Sequence, residues 1–293
     1  MINDAQIMAP PGTQISLKNF RTDYTGEFKK KKDAEKKLKK DIGKLKKLQD
    51  KLYAYDRYAL LLIFQAMDAA GKDGTIEHVM SGINPQGCQV FSFKKPGAED
   101  LDHDYFWRVY KCLPERGRIG IFNRSYYEEV LIVKVHPELV LKQQLPGISS
   151  VEDIRQKFWD HRYEQINRME QHLVENGTII LKFFLNVSKQ EQKRRFLDRI
   201  NNPDKNWKFT MDDVRERNFW DDYQHAFEGA ISATNTEIAP WFIIPADHKW
   251  FMRTIVGDII VKKLDSLPLK YPTVTEAKKE EIDQAKKILE SEN

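Results

Sequence analysis

The 293 residues, 41% hydrophobic and 31% charged, allow one large domain or two small ones and supply enough apolar side chains for a core. Two cysteines, Cys88 and Cys112, exclude a disulfide framework, no Cys/His spacing fits zinc, and the longest apolar run (59–64) is far short of the roughly 20 residues of a membrane span. The net charge of +4 hides an asymmetry: residues 29–51 hold 12 lysines against four acids, a local +8, so the remainder sums to −4.

The N-terminal stretch MINDAQIMAPPG has no basic segment followed by an apolar one, so a protein without a secretory leader, located in the cytoplasm and free of membrane partners, is expected. In the lysine block Leu38, Ile42, Leu45, Leu48 (or Gln49) and Leu52 recur at steps of three and four. That predicts a helix with a narrow apolar stripe and a lysine-covered outer face. Such a face is either solvated surface or a collector of polyanions.

From Tyr58 onward apolar strands alternate with helical stretches. Strands are predicted over 59–66, 89–93, 118–122, 178–187 and 241–246, and helices over 74–82, 101–113 and 150–176. Ser150, with Asp153 three residues on, reads as the N-cap of the last helix, and Asn176-Gly177 as its stop. Strands spaced by helices in this way make an α/β fold, a mostly parallel five-stranded sheet with helices on both faces. The expected division is an N-terminal extension over 1–55, a phosphate-loop domain over 56–265, and a helical C-terminal extension over 266–293.

The first strand runs into Ala66-Met67-Asp68-Ala69-Ala70-Gly71-Lys72-Asp73-Gly74-Thr75, and a helix follows. A phosphate-binding loop needs this placement: a strand, a tight turn with free N–H groups, a helix N-terminus and a lysine. Against G-x-x-x-x-G-K-[ST], Ala66 replaces the first glycine and Asp73 the hydroxyl residue. The magnesium-binding hydroxyl is then missing or supplied by Thr75, and Asp68 becomes a candidate to hold the metal. The third strand ends in Asn123-Arg124, with Glu128 and Glu129 just beyond. Asn123 carries no charge, so one glutamate either restores it near the metal or caps a helix. Arg124 is placed to pair with a phosphate. After the fourth strand, Lys189, Lys193, Arg194, Arg195 and Arg199, a breaker at 201–204 and a second helix predict a lid over about 189–220. Helical spacing puts Arg195 and Arg199 on one face and turns Arg194 about 100° away.

In combination, the stretches 66–76 (AMDAAGKDGTI), 93–108 (FKKPGAEDLDHDYFWR), 122–135 (FNRSYYEEVLIVKV) and 194–217 (RRFLDRINNPDKNWKFTMDDVRER) resemble the polyphosphate kinase 2 family. The resemblance implies a thymidylate-kinase-like P-loop kinase fold with a helical lid, and phosphoryl transfer between inorganic polyphosphate and nucleotides. Asn123 with Glu128 is similar to the family's third subgroup, which phosphorylates nucleoside mono- and diphosphates, whereas other subgroups generally carry Asp at the first position. It implies AMP and ADP as acceptors, guanine nucleotides besides, Mg2+ (or Mn2+) as cofactor, and a homo-oligomer, commonly a tetramer. It puts Asp68, Lys72, Arg124 and Glu128 in catalysis, with Asp68 and Glu128 at the metal. Ala69, Ala70, Gly71, Asp73, Gly74, Thr75, Asn123 and the lid residues Arg194, Arg195 and Arg199 fall at phosphate- or nucleotide-binding positions. His103-Asp104 and Trp107-Arg108 fall on the acceptor side.

Polyphosphate as donor comes from the resemblance. Composition and spacing alone lead to a P-loop phosphotransferase, and an ATP-dependent nucleoside or nucleotide kinase stays open as the alternative. A GTPase-like regulator would carry N-K-x-D, which is absent. No nucleic-acid partner is expected, because the lysine block has no interleaved aromatics before Tyr53.

Overall fold

All seven residues of ALLLIFQ are buried, and this strand, β1 (Ala59–Gln65), is the middle of a five-stranded sheet. The computed structural model describes residues 6–8 and 10–292. Residues 1–5, 9 and 293 lie outside it, including part of the stretch expected not to be a leader. In chain order the elements are α1 (Lys31–Tyr55), β1, α2 (Lys72–Val79), β2 (Cys88–Ser92), the single turns α3 (Ala98–Leu101) and α4 (Trp107–Tyr110), and β3 (Ile119–Asn123). Then come the single turns α5 (Ile132–Val135) and α6 (Glu138–Leu141), α7 (Gln156–Glu175) and β4 (Thr178–Asn186). The rest are α8 (Lys189–Ile200), α9 (Met211–Glu216), α10 (Trp220–Thr234), β5 (Trp241–Pro245), α11 (Lys249–Asp265) and α12 (Glu276–Ser291).

The strand order is β2-β3-β1-β4-β5, and every pairing between these strands is parallel. The chain leaves β1 in one direction, past β3 to β2, and leaves β3 in the other, past β1 to β4. That reversal opens a crevice at the C-terminal ends of β1 and β3, where open α/β sheets bind ligands. Alternation along β4 turns Lys182 and Phe184 toward α7 and α10, where Phe184 stacks on Phe227 at 4.1 Å. The helices α1, α2 and α11 pack together as the other layer. Among the described residues no helix is long and apolar enough to cross a membrane.

The lysine helix docks as its stripe predicts, burying Leu38, Leu45, Leu48 and Leu52, with Ile42 only partly covered. Polar groups that the stripe does not reveal fix its rotation. Lys37 Nζ bridges Asp41 and Asp258, at 2.5 Å each, and the buried Gln49 amide exchanges two hydrogen bonds of 2.8 Å with the Asn84 backbone.

Three helix boundaries differ from expectation. Lys72 and Asp73 belong to α2, which ends at Val79. The 101–113 stretch breaks into α3 and α4, because Asp104 takes the Phe106 amide (2.9 Å) and His103 bonds the Glu99 carbonyl (2.8 Å). Ser150 and Asp153 do cap each other, but around a single 3₁₀ turn. Asp153 collects the amides of Ser149 and Ser150 at 2.9 Å, and α7 starts afresh at Gln156.

Beneath the crevice lies a fully buried ion pair, Lys182 Nζ to Glu170 Oε2 at 2.6 Å. The three ammonium donors reach Glu170, Tyr127 Oη (3.0 Å) and the Thr234 carbonyl (2.7 Å), and Glu170 Oε1 accepts from Tyr126 and Tyr127 at 2.8 Å each. The two tyrosines open the 3₁₀ turn Tyr126–Val130, so this core network holds the segment between Arg124 and Glu128. Glu170→Ala strands a buried ammonium and is expected to lower unfolding free energy by roughly 3–5 kcal/mol. Urea denaturation within about 1 kcal/mol of the parent would show that the pair holds nothing.

Candidate active site

The chain leaves β1 at Gln65 and turns through Ala66–Gly71 into α2. Ala69 (φ +60°) and Gly71 (φ +107°) both take left-handed backbone. A Cβ on Gly71 would also stand 3.2 Å from Met252 Cε. The amides of Lys72, Asp73 and Gly74 start the helix without partners inside it, and the helix dipole adds positive potential there. Lys72 Nζ folds back to the Ala66 carbonyl (2.9 Å). Burial, with Arg124 close by, pulls its ammonium below the usual lysine value, against the pull of Asp68, Glu128 and Asp73. Thr75 departs from expectation. Its amide (3.0 Å) and hydroxyl (2.9 Å) both donate to the Gly71 carbonyl and its side chain is fully buried, so it offers nothing to a phosphate or a metal.

β3 ends level with β1: Phe64 is opposite Asn123, and the Arg124 amide donates to the Phe64 carbonyl at 3.0 Å. Asn123 Nδ2 donates to Asp73 at 2.6 Å. Arg124 is held at φ +65°, a conformation that costs energy in a residue with a Cβ and persists only where its surroundings impose it. Its guanidinium lies between two carboxylates, Nη2 to Asp68 Oδ1 at 2.8 Å and Nη1 to Glu128 Oε2 at 3.6 Å. The Gln65 amide donates to Glu128 Oε1 (2.8 Å) and accepts from the Ser125 amide and hydroxyl. Burial lifts the Glu128 carboxyl above the usual glutamate value, opposed by Arg124 and Lys72. Glu129 is different: buried, it accepts from Gln143 (2.6 Å) and faces Arg162 at 3.6 Å, away from the loop.

Asp68 and Glu128 form a carboxylate pair around one cation. Among the described residues no group of three or more His, Cys, Asp or Glu side chains is placed to hold a metal. Two carboxylates suit magnesium, which takes one or two of them together with phosphate oxygens and water.

The three arginines expected in a lid stand in three different surroundings. Arg195 is buried and all five of its N–H donors are satisfied inside the protein. They reach Glu191 (2.7 Å), the loop carbonyls of Ala69 (3.2 Å) and Ala70 (2.5 Å), and the carbonyls of Ala246 (2.5 Å) and Asp247 (3.3 Å). Arg194 points to solvent and pairs with Glu191 and Asp198. Arg199 faces the crevice, 3.5 Å from Asp213. Arg195 and Arg199, placed on one face by helical spacing, therefore stand in different surroundings, because the packing of α8 on the loop covers the first and leaves the second facing the crevice.

The crevice is a trough of about 980 Å³. Nine lysines and arginines line it against four acids. Four of the nine come from places that carried no site expectation: Lys94 and Lys95 after β2, and Lys249 and Arg253 in the first turns of α11. Both pairs sit just past a strand's C-terminal end, and that position was the available signal. Lys249 and Arg253 are spaced i, i+4, so they share a helix face. Burial and then neighbouring arginines pull the Lys249 ammonium low. His103 and Trp107 stack on each other at 4.0 Å outside the trough, whereas Arg108 donates to the Lys94 carbonyl (2.8 Å) and steadies that loop.

Residues 28–271 match the family described as Polyphosphate kinase 2. The chain is similar to an ADP-polyphosphate phosphotransferase of Rhodopseudomonas palustris, 49% identical over 98% of this chain and 99% of the relative. It is also similar to an AMP/ADP-polyphosphate phosphotransferase of Meiothermus ruber, 43% identical over 89% of this chain and 93% of the relative. The crystal structure of polyphosphate kinase 2 from Arthrobacter aurescens TC1 matches with a TM-score of 0.83 at 36% identity, covering 94% of this chain and 98% of that one. The α/β architecture is thus that of a P-loop kinase-like fold.

Arg195→Ala removes bonds to four carbonyls and a carboxylate, and is expected to lower unfolding free energy by roughly 3 kcal/mol. Arg195→Lys, with three donors, should restore only part. Arg194→Ala should stay within about 0.5 kcal/mol of the parent. Equal stability of Arg195→Ala and Arg194→Ala in urea would show that the guanidinium does not hold the loop.

Proposed function

The chain belongs to the polyphosphate kinase 2 family, and from that premise we propose that it is a polyphosphate-dependent nucleotide kinase. It moves the terminal phosphoryl group of inorganic polyphosphate onto AMP and ADP, and onto GMP and GDP, reversibly. The observation that carries this reading is the cation-lined trough ending at Lys72, Arg124 and Asp68. A polymer with about one charge per unit fits such a trough, and its volume is at the upper end of ordinary ligand sites, with room for a chain end and a nucleotide. The relatives' names favour polyphosphate over ATP as donor.

The transfer is direct and in-line. A terminal oxygen of the acceptor phosphate attacks the end phosphorus of the chain, the bridging P–O bond breaks, and the shortened polyphosphate leaves with the electron pair. Such transfers depend on positioning and charge stabilisation more than on covalent chemistry. Lys72 and the amides of Lys72, Asp73 and Gly74 hold the phosphates at the reacting centre, and Arg124 spans donor and acceptor oxygens with its planar fork. Arg199, Lys249 and Arg253 carry the chain behind its reacting end. Asp68 and Glu128 would hold magnesium, which would supply charge neutralisation at the phosphate oxygens.

Purified protein incubated with magnesium, polyphosphate and each of AMP, ADP, GMP and GDP should yield the corresponding di- and triphosphates by chromatography. Phosphorylation that appears only when ATP replaces polyphosphate would overturn the reading in favour of an ATP-dependent kinase. Lys72→Ala, with unchanged thermal melting, should lose about 10²-fold or more in rate.

The direction of the Glu128 shift sets a pH test. Its carboxyl titrates above the usual glutamate value, and pairing with Arg124 or a metal needs the ionised form. Activity should therefore fall on acidification starting above that usual value, and Glu128→Gln should be slower with this acid limb removed. An acid limb that persists unchanged in Glu128→Gln assigns the titration to another group.

A further inference from the structure

We propose that the outer face of α1 is a second binding track for the polyphosphate chain, continuous with the trough but outside it; the proposal rests on the polyphosphate reading of the trough. Lys32, Lys36, Lys39, Lys40, Lys46 and Lys47 are exposed and lie on the side opposite the buried leucines, at 100° per residue. Among the described residues none of the six has an ion-pair partner. An ordinary solvated helix of this protein looks different. In α12, Lys278, Lys279 and Lys286 each pair with a glutamate three or four residues along the helix. On α1 the spacing instead puts like charges at i, i+4 (Lys32, Lys36, Lys40), which works against the helix. Charge left uncompensated at that cost marks a surface completed by an anion.

The track begins at the trough. The Ala34 carbonyl accepts from Thr254 Oγ1 at 3.1 Å, and the neighbouring residue Arg253 lines the trough. From there α1 runs on to Tyr55 for about 32 Å at 1.5 Å per residue, so a chain leaving the trough past Arg253 meets successive lysines. The chemistry favours polyphosphate over a nucleic acid. Single-stranded nucleic acids are held by aromatic platforms for their bases, and α1 has no aromatic residue before Tyr53, whereas a bare phosphate chain has nothing to stack.

The test replaces five of the lysines with glutamine, a good helix former, as K36Q/K39Q/K40Q/K46Q/K47Q. Parent and variant are compared for KM with tripolyphosphate and with long-chain polyphosphate, and for direct binding of labelled long chains at about 50 and 200 mM salt. The long-chain KM and dissociation constant should rise about tenfold and their salt dependence flatten, with tripolyphosphate kinetics and thermal melting unchanged. Unchanged long-chain binding overturns the track, as does an equal loss with both chain lengths. A variant that loses affinity for a DNA oligonucleotide but keeps its long-chain constants gives the face to nucleic acid and overturns it as well. Failure of the proposed reaction is distinguishable, since it appears as a parent that binds chains without transferring phosphate.

Discussion

One buried guanidinium, that of Arg195, joins three parts of the chain that sequence keeps far apart. Its five bonds tie the loop after β1, the turn after β5 and the first half of α8 into one piece. In a low-dielectric interior a fully satisfied network of this kind is rigid, whereas one missing partner would make it a liability. The left-handed conformations at Ala69 and Gly71 are therefore imposed from beneath, by a cation that neutralises the loop's own carbonyls. The same bonds anchor α8 to the body. Residues beyond Arg199 rest on the body far less, with Ile200, Trp207, Met211 and Val214 all exposed.

A second support reaches the site from the core. Glu170 and Lys182 fix Tyr126 and Tyr127, and this turn sets Arg124 on one side and Glu128 on the other. The strained backbone of Arg124 persists because the strand pairing before it and the tyrosine turn after it are both fixed. Proteins tend to break local rules where they act, and this rim holds two of the four non-glycine residues at positive φ among the described residues, together with a buried lysine and a partly buried glutamate.

The sheet was legible because β1, β3, β4 and β5 are short apolar runs bounded by turn residues, and the loop was legible because its motif follows the first such run. The carboxylate pair needed the same two strand ends. What periodicity could not show was tertiary. Arg195 and Arg199 share a helical face, yet the first is covered by the loop and the second faces the crevice. Asp41 and Gln49 lie in an apolar stripe because the fold brings Asp258 to Lys37, the neighbour of Asp41 one turn back, and Asn84 to Gln49. Lys94, Lys95, Lys249 and Arg253 look like scattered surface charges until parallel pairing puts the ends of β2 and β5 on the same edge as β1. The start of α7 was misplaced because a capping box is satisfied by one turn and does not oblige the helix to continue.

The two ends of the site differ in kind, and a polymeric donor explains why both are needed. At the loop end of the trough, Arg124, Lys72 and Glu128 are held by strands, a buried network and carbonyl contacts, and in the proposed transfer a misplacement of about 1 Å there would cost about 10²-fold in rate. Along the trough wall and α1 the cations stand on long, flexible stems and crowd one another, so burial and mutual repulsion already pull Lys249 and Arg253 low. That crowding is unfavourable in the free protein and is relieved by any chain of phosphates, whatever its length or register. On the proposed reading, rigid geometry at one end selects the phosphorus that reacts, while diffuse charge at the other holds the rest of a chain whose length varies. A donor such as ATP, with three phosphates and a base, gives a site no reason to extend its positive surface beyond the loop and the lid.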